Sequence, residues 1–266
     1  EGFLAADLDN DRRPDLLLVG ARGLRLYRQM EDGAFQAVND KTGLDATVLD
    51  AAYRGAWSLD LDLDGDLDVA LGVAQGKPPV LRNNGDGSWA VAEPFDMDGL
   101  NRLIWTDFDG DGDGDVVARD AAGRLVRLDN QRNGRYQAAV EPSPLDAQDF
   151  AAIDLAAEAD GRRQDGVLDL ALLRLSAAGA AVDSSFPFGG TEGAWQTGPQ
   201  LLSPDALSKV DPALGKLLTS GMDAPSTAAP VGRLLTGDID NNGAVDLVLG
   251  GLPEGGLVLD LAGLVL

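Results

Sequence analysis

A nine-residue pattern with Asp at positions 1, 3 and 9 and Asp or Asn at position 5 occurs four times, each copy standing between two short apolar runs. The copies run from Asp7 to Asp15, Asp60 to Asp68, Asp107 to Asp115 and Asp238 to Asp246. Three to five carboxylates within nine residues repel one another, and a cation that neutralises them offsets that cost. A solvated acidic turn would account for one copy, but four copies in one frame argue for a bound ion. Oxygen-only donors suit a hard cation; calcium, which takes about 6–8 oxygens in flexible geometry, fits better than magnesium with its strict octahedron and retained waters.

The flanking segments decide the fold class. Phe3-Leu4-Ala5-Ala6, Ala56-Trp57-Ser58-Leu59, Leu103-Ile104-Trp105-Thr106 and Leu234-Leu235-Thr236-Gly237 precede the loops. Leu16-Leu17-Leu18-Val19, Val69-Ala70-Leu71, Val116-Val117-Ala118 and Leu247-Val248-Leu249 follow them. Such short apolar runs bounded by Gly and Asp predict buried strands. A helix–loop–helix calcium site is excluded, because its twelfth position needs a bidentate Glu and here holds Leu18, Leu71, Ala118 and Leu249.

Two further strands complete most units. The third is Leu24–Tyr27, Pro79–Arg82, Leu125–Leu128 and Leu257–Leu259, and the fourth opens at Gly33-Ala34-Phe35, Gly87-Ser88-Trp89, Gly134-Arg135-Tyr136 and Gly193-Ala194-Trp195. Asn-Gly turns lie between them. One more unit begins near Phe150: Asp154 follows Asp107 by the same interval that separates Asp107 from Asp60. Its loop is degenerate, with Ala156 and Glu158 at positions 3 and 5, and either binds an ion through Asp154, Asp165 and Asp169 or replaces it with Arg162 and Arg163.

The expected architecture is all-β, a β-propeller of four-stranded blades with five blades visible. The ring is closed either by these five or by further blades outside the segment. The expected organisation is a single propeller domain over 1–266, with blades at about 1–38, 55–95, 99–142, 147–201 and 231–266 and an insertion at 202–230. In the insertion, Ser203-Pro204 predicts a helix start. Segments 184–192 and 201–230 break the repeat, the first bringing Phe186 and Phe188, and are the candidate recognition loops.

The repeated residues resemble the FG-GAP/VCBS repeats of integrin-α-type β-propellers, in which a D-x-D-x-D-G-x-x-D loop joins the first two strands of a blade. The resemblance covers about residues 1–200 and 229–266; Thr42-Gly43-Leu44 with Ala56–Asp60 is more weakly similar to bacterial relatives of the cartilage acidic protein family. Arg12 departs from the loop Gly, and Asn242 from the third Asp. About four calcium ions are expected, or five with the degenerate loop. The expected ligands are Asp7, Asp9, Asp11, Asp15 and the Arg13 carbonyl; Asp60, Asp62, Asp64, Asp68 and the Asp66 carbonyl; Asp107, Asp109, Asp111, Asp115 and the Asp113 carbonyl; and Asp238, Asp240, Asn242, Asp246 and the Ala244 carbonyl.

Charge and composition narrow the function. The net charge of −23 rules against nucleic acid and anionic membranes as partners, and no run of about 20 apolar residues offers a transmembrane helix. The opening residues lie within a strand, as expected of a processed or trimmed piece of a longer product. Calcium sites of this type fill where calcium is near millimolar, so a periplasmic, secreted or cell-surface location is expected; the Arg-over-Lys bias resembles a GC-rich bacterial genome. There is no His and no Cys, and no motif links the few Lys and Tyr, so no catalytic set is identified. The expected role is a calcium-stabilised module for a protein partner or larger assembly. The alternative is a carbohydrate-binding propeller or a polysaccharide-acting enzyme, with Trp89 and Trp195 as candidate exposed aromatics and Trp57 and Trp105 as core.

Overall fold

The computed structural model describes residues 2–108, 111–132, 134–138, 147–153, 169–176, 179–186, 196–202, 233–237, 246–252 and 255–259. They form an all-β structure of antiparallel sheets with consecutive strands side by side, four of four strands and one of three described strands. Two compact units are present, Glu1–Asp107 with Asp111–Ala139, and Phe108–Gly110 with Val140–Leu266.

The first unit holds three sheets. The first comprises β1 (Gly2–Ala6), β2 (Asp15–Gly20), β3 (Gly23–Gln29) and β4 (Phe35–Ala37). The second comprises β5 (Gly55–Leu59), β6 (Asp68–Gly72), β7 (Val80–Asn83) and β8 (Trp89–Ala92), and the third β9 (Arg102–Thr106), β10 (Asp115–Arg119), β11 (Leu125–Asn130) and β12 (Tyr136–Ala138). Between the first two sheets lie a 3-10 turn at Asn39–Lys41 and a short helix, α1 (Ala46–Leu49), neither expected from the sequence.

The apolar runs are continuous because both faces of the inner strands are buried. Successive strand side chains point to opposite faces. Thus Val69 and Leu71 of β6 pack with Leu17, Val19, Leu24 and Leu26 in one core, whereas Ala70 joins Val80, Val116, Ala118, Val126 and Leu128 in the next. Burying a Leu or Val side chain contributes roughly 1.5–3 kcal/mol, so the sheets are held by what lies between them. Trp89 is 9% exposed and belongs to the first of these cores, which corrects its expected exposure. Trp57 and Trp105 are half-buried and pack on the second core.

The second unit holds β13 (Asp149–Ile153), β14 (Asp169–Ser176), β15 (Gly179–Phe186) and β16 (Gln196–Leu202) in one sheet. The other contains β17 (Arg233–Gly237), β18 (Asp246–Leu252) and β19 (Gly255–Leu259). Leu234 N donates to Asp149 Oδ2 at 3.0 Å, tying the two sheets together.

One register recurs throughout. The last residue of each first strand pairs with an Asp that opens the second: Ala6 with Asp15, Leu59 with Asp68, Thr106 with Asp115, Ile153 with Asp169 and Gly237 with Asp246. Asp169 of the degenerate unit therefore occupies the place of Asp15. Among the described residues no helix is long and apolar enough to cross a membrane.

Candidate metal centres

The three acidic loops of the first unit are folded by their own carboxylates. The aspartate at position 1 accepts from backbone amides at positions 5 and 6: Asp7 from Asp11 N (3.0 Å) and Arg12 N (2.8 Å), and Asp60 from Asp64 N (3.2 Å) and Gly65 N (3.1 Å). Asp107 accepts from Gly112 N at 3.1 Å. The aspartate at position 5 turns the chain once more, Asp11, Asp64 and Asp111 accepting from the amides of Arg13, Asp66 and Asp113. These short side-chain-to-backbone bonds are what Asp favours in turns.

Position 9 does something different. Asp15, Asp68 and Asp115 are almost fully buried, at 2%, 0% and 1% exposure. Asp15 accepts from Leu8 N (3.2 Å) and Gln29 N (2.9 Å), Asp68 from Leu61 N (2.8 Å) and Asn83 N (2.7 Å), and Asp115 from Asn130 N (2.9 Å). The group joins the start of the loop to the end of the third strand. Each carboxylate oxygen has two lone pairs, so these bonds leave acceptor capacity for an ion. Burial raises the Asp15 pKa and pushes Asp68 up to about 6, with Asp62 and Asp64 adding to the effect on Asp68 and the backbone donors opposing it.

Two groups of carboxylate oxygens converge. Ligand atoms of Asp7, Asp9 and Asp11 lie within 4.8 Å of one another, as do those of Asp60, Asp62 and Asp68. In the third loop Asp113 is 5% exposed, and among the described residues its Oδ1 has no hydrogen-bond partner. Such an atom is costly unless something pairs with it. All-oxygen donors, converging carboxylates and a buried carboxylate oxygen without a partner suit a hard divalent cation. Asp109, Asp154, Asp165, Asp238, Asp240, Asn242 and Ala244 lie outside the described residues, while Asp169 and Asp246 open β14 and β18.

The FG-GAP-like repeat matches residues 7–71 and 60–118, two stretches that each begin at the first Asp of an acidic loop and take in the loop that follows. Residues 7–118 carry FG-GAP-like repeats. The build of the chain is β-propeller-like. An Agrocybe aegerita lectin that recognises non-reducing terminal N-acetylglucosamine aligns at 17% identity and a TM-score of 0.56, over 98% of this chain and 63% of the lectin. The Photorhabdus luminescens Tc holotoxin pore aligns at 16% identity and a TM-score of 0.50, over 99% of this chain and 11% of that one. This chain thus spans less than two thirds of either. No curated protein matches it by sequence.

Arginines complete the FG-GAP loops in a way the motif does not encode. Arg13 pairs with Asp11; Arg28 Nε lies 2.7 Å from Asp9 Oδ2, and Arg82 Nη1 lies 3.4 Å from Asp62 Oδ2. Arg132 reaches Asp113 at 2.6 Å and Asp111 at 3.0 Å, and these carboxylates raise its pKa. Asn83 was legible only as a turn residue, and Asn130 was not singled out by the sequence. Both stand at the end of a third strand, where their backbone amides meet the position-9 aspartate.

Proposed function

We propose that this chain is a calcium-stabilised, extracytoplasmic interaction module with no chemistry of its own. The carrying observation is the recurrence of one loop scaffold in the three sheets of the first unit: Asp at position 1 on the loop amides, Asp at position 5 on the next turn, Asp at position 9 against the third strand. When bound, a divalent ion would supply the charge that lets these carboxylates share one loop. The side chains of Asp7, Asp9, Asp11 and Asp15, and their counterparts from Asp60 and Asp107 onward, would hold it, with a position-7 carbonyl completing each shell. The loop of the fifth sheet would hold a further ion, while that of the fourth either binds one through Asp154, Asp165 and Asp169 or replaces it with Arg162 and Arg163.

The same scaffold speaks against catalysis. Carboxylates tied to backbone amides are held for structure, and the raised pKa of Asp68 follows from burial beside the loop. The chain has neither His nor Cys to serve as a poised acid–base partner or activated nucleophile. Antiparallel sheets with variable connections are suited to recognition. Segments 184–192 and 201–230 are the proposed contact regions for a protein partner; Ser184–Phe186 end β15, Leu201 and Leu202 end β16, and the rest lies outside the described residues.

The proposal is tested by calorimetric titration of chelator-treated protein with calcium chloride, followed by thermal melting. Uptake of about four ions with a raised melting midpoint is expected; no uptake would overturn it. Carbohydrate recognition is the second reading, supported by the fold shared with the lectin, and a glycan array run with calcium present separates the two.

A further inference from the structure

Aligning the three sheets of the first unit on the third-strand amide that bonds the position-9 aspartate makes Gln29, Asn83 and Asn130 equivalent. The residue before each is then Arg28, Arg82 or Asp129. In the first two sheets this residue places a guanidinium on the loop carboxylate at position 3, at 2.7 Å from Asp9 and 3.4 Å from Asp62. In the third sheet the residue is itself acidic. Asp129 is held by Arg127 of its own strand, at 2.6 and 2.9 Å, and the turn residue Arg132 pairs with Asp111 and Asp113.

We propose that Arg28 and Arg82 are counter-ions built into the third strands that set how tightly the first and second loops hold a divalent cation. The proposal rests on the calcium reading of the loops. A guanidinium on a carboxylate that a cation needs acts twice: it repels the incoming positive charge, and it stabilises the carboxylate when the cation is absent. Both effects lower cation affinity. Arg28 should act more strongly than Arg82, because its contact is shorter and Asp9 is the less exposed acceptor, at 15% against 34% for Asp62. The first loop also carries Arg13 on Asp11, so it binds the ion less tightly than the second.

The test uses the full chain, stripped with chelator and titrated with calcium chloride by calorimetry, beside thermal melting in chelator alone. Arg28→Gln is expected to tighten binding at one site by about 3–10-fold and Arg82→Gln by about 2–3-fold, the scale of a partly screened charge at close range. Arg28→Lys, which keeps the charge, stays closer to wild type than Arg28→Gln. In chelator, Arg28→Gln melts below wild type. Both arginines are at least 40% exposed, so the substitutions are compatible with folding. Wild-type uptake with unchanged or weaker affinity in Arg28→Gln overturns this proposal and leaves the calcium reading standing. No uptake by wild type or any variant removes the calcium reading, and this proposal falls with it.

Discussion

Asn83 donates its side-chain amide to the carbonyl oxygen of Leu8, 2.7 Å away and 75 residues earlier in the chain. The bond lies within a longer relay. Asn83 N donates to Asp68, Asn83 Nδ2 bridges to Leu8 O and to Leu67 O (3.3 Å), and Leu8 N donates to Asp15. The buried aspartates of two neighbouring loops are therefore joined through one asparagine and the backbone N–H and C=O of one residue, Leu8. Asn10 Nδ2 adds a second link to Asp66 Oδ1 at 2.5 Å.

Asn83 is 3% exposed, so its removal leaves the Leu8 carbonyl without this donor in a buried setting. Asn83→Ala is expected to destabilise the protein by about 1–3 kcal/mol. Urea denaturation measures this directly. A loss below about 0.5 kcal/mol would mean that water or rearrangement replaces the bridge.

Arg12 holds φ = 70° at loop position 6, where the second and third loops have Gly65 (φ = 92°) and Gly112 (φ = 91°). A residue with a Cβ is strained in this left-handed region, by roughly 1–2 kcal/mol, and Gly is not. Arg12→Gly should therefore raise stability by about 0.5–1 kcal/mol after the entropic cost of Gly in the unfolded chain. Denaturation in chelator isolates the backbone effect. A destabilised variant would show that the Arg12 side chain makes a compensating contact.

Asp68 sets a pH dependence with a definite sign. Its carboxyl titrates near 6 in the folded protein against 3.8 when free, so the folded state holds the proton more tightly. The stabilising contribution is fully present below about pH 4 and is lost as pH rises through about 6. In chelator, wild type should gain about 2–3 kcal/mol relative to Asp68→Asn between pH 7.5 and pH 4. Calcium reverses the trend, because it favours the carboxylate. Parallel pH profiles for the two proteins in chelator would contradict this assignment.

Removing a position-1 carboxylate should abolish one site and leave the others. Asp60→Ala loses the acceptor for Asp64 N and Gly65 N as well as a ligand. Calorimetry should count one ion fewer than in wild type. Saturating calcium should also stabilise the variant less, by about 2.7 kcal/mol at a hundredfold excess over Kd. An unchanged stoichiometry would move the ion away from this loop.

The chain itself determined the all-β class, the five first-strand and second-strand pairs and the acidic loops between them. Those signals are local: an apolar run, a turn and a carboxylate spacing are read within about nine residues. Asp68 and Asp15 could be named as ligand candidates from spacing alone. What they touch from the third strand could not, because the reach of Asn83 or Gln29 depends on strand register.

The arginines show the same division. Arg28 stands 13 residues after Asp15 and Arg82 stands 14 after Asp68, so counting along the chain does not align them. Only the pairing of β2 with β3, through a tighter turn than that joining β6 to β7, brings both guanidinium groups onto position 3 of their loops. Trp89 was open to either face by its position in an outer strand, and packing between the first two sheets placed it inside. Local sequence sets which groups exist and how they alternate; the hairpin lengths and the packing of one sheet on the next decide which of them meet.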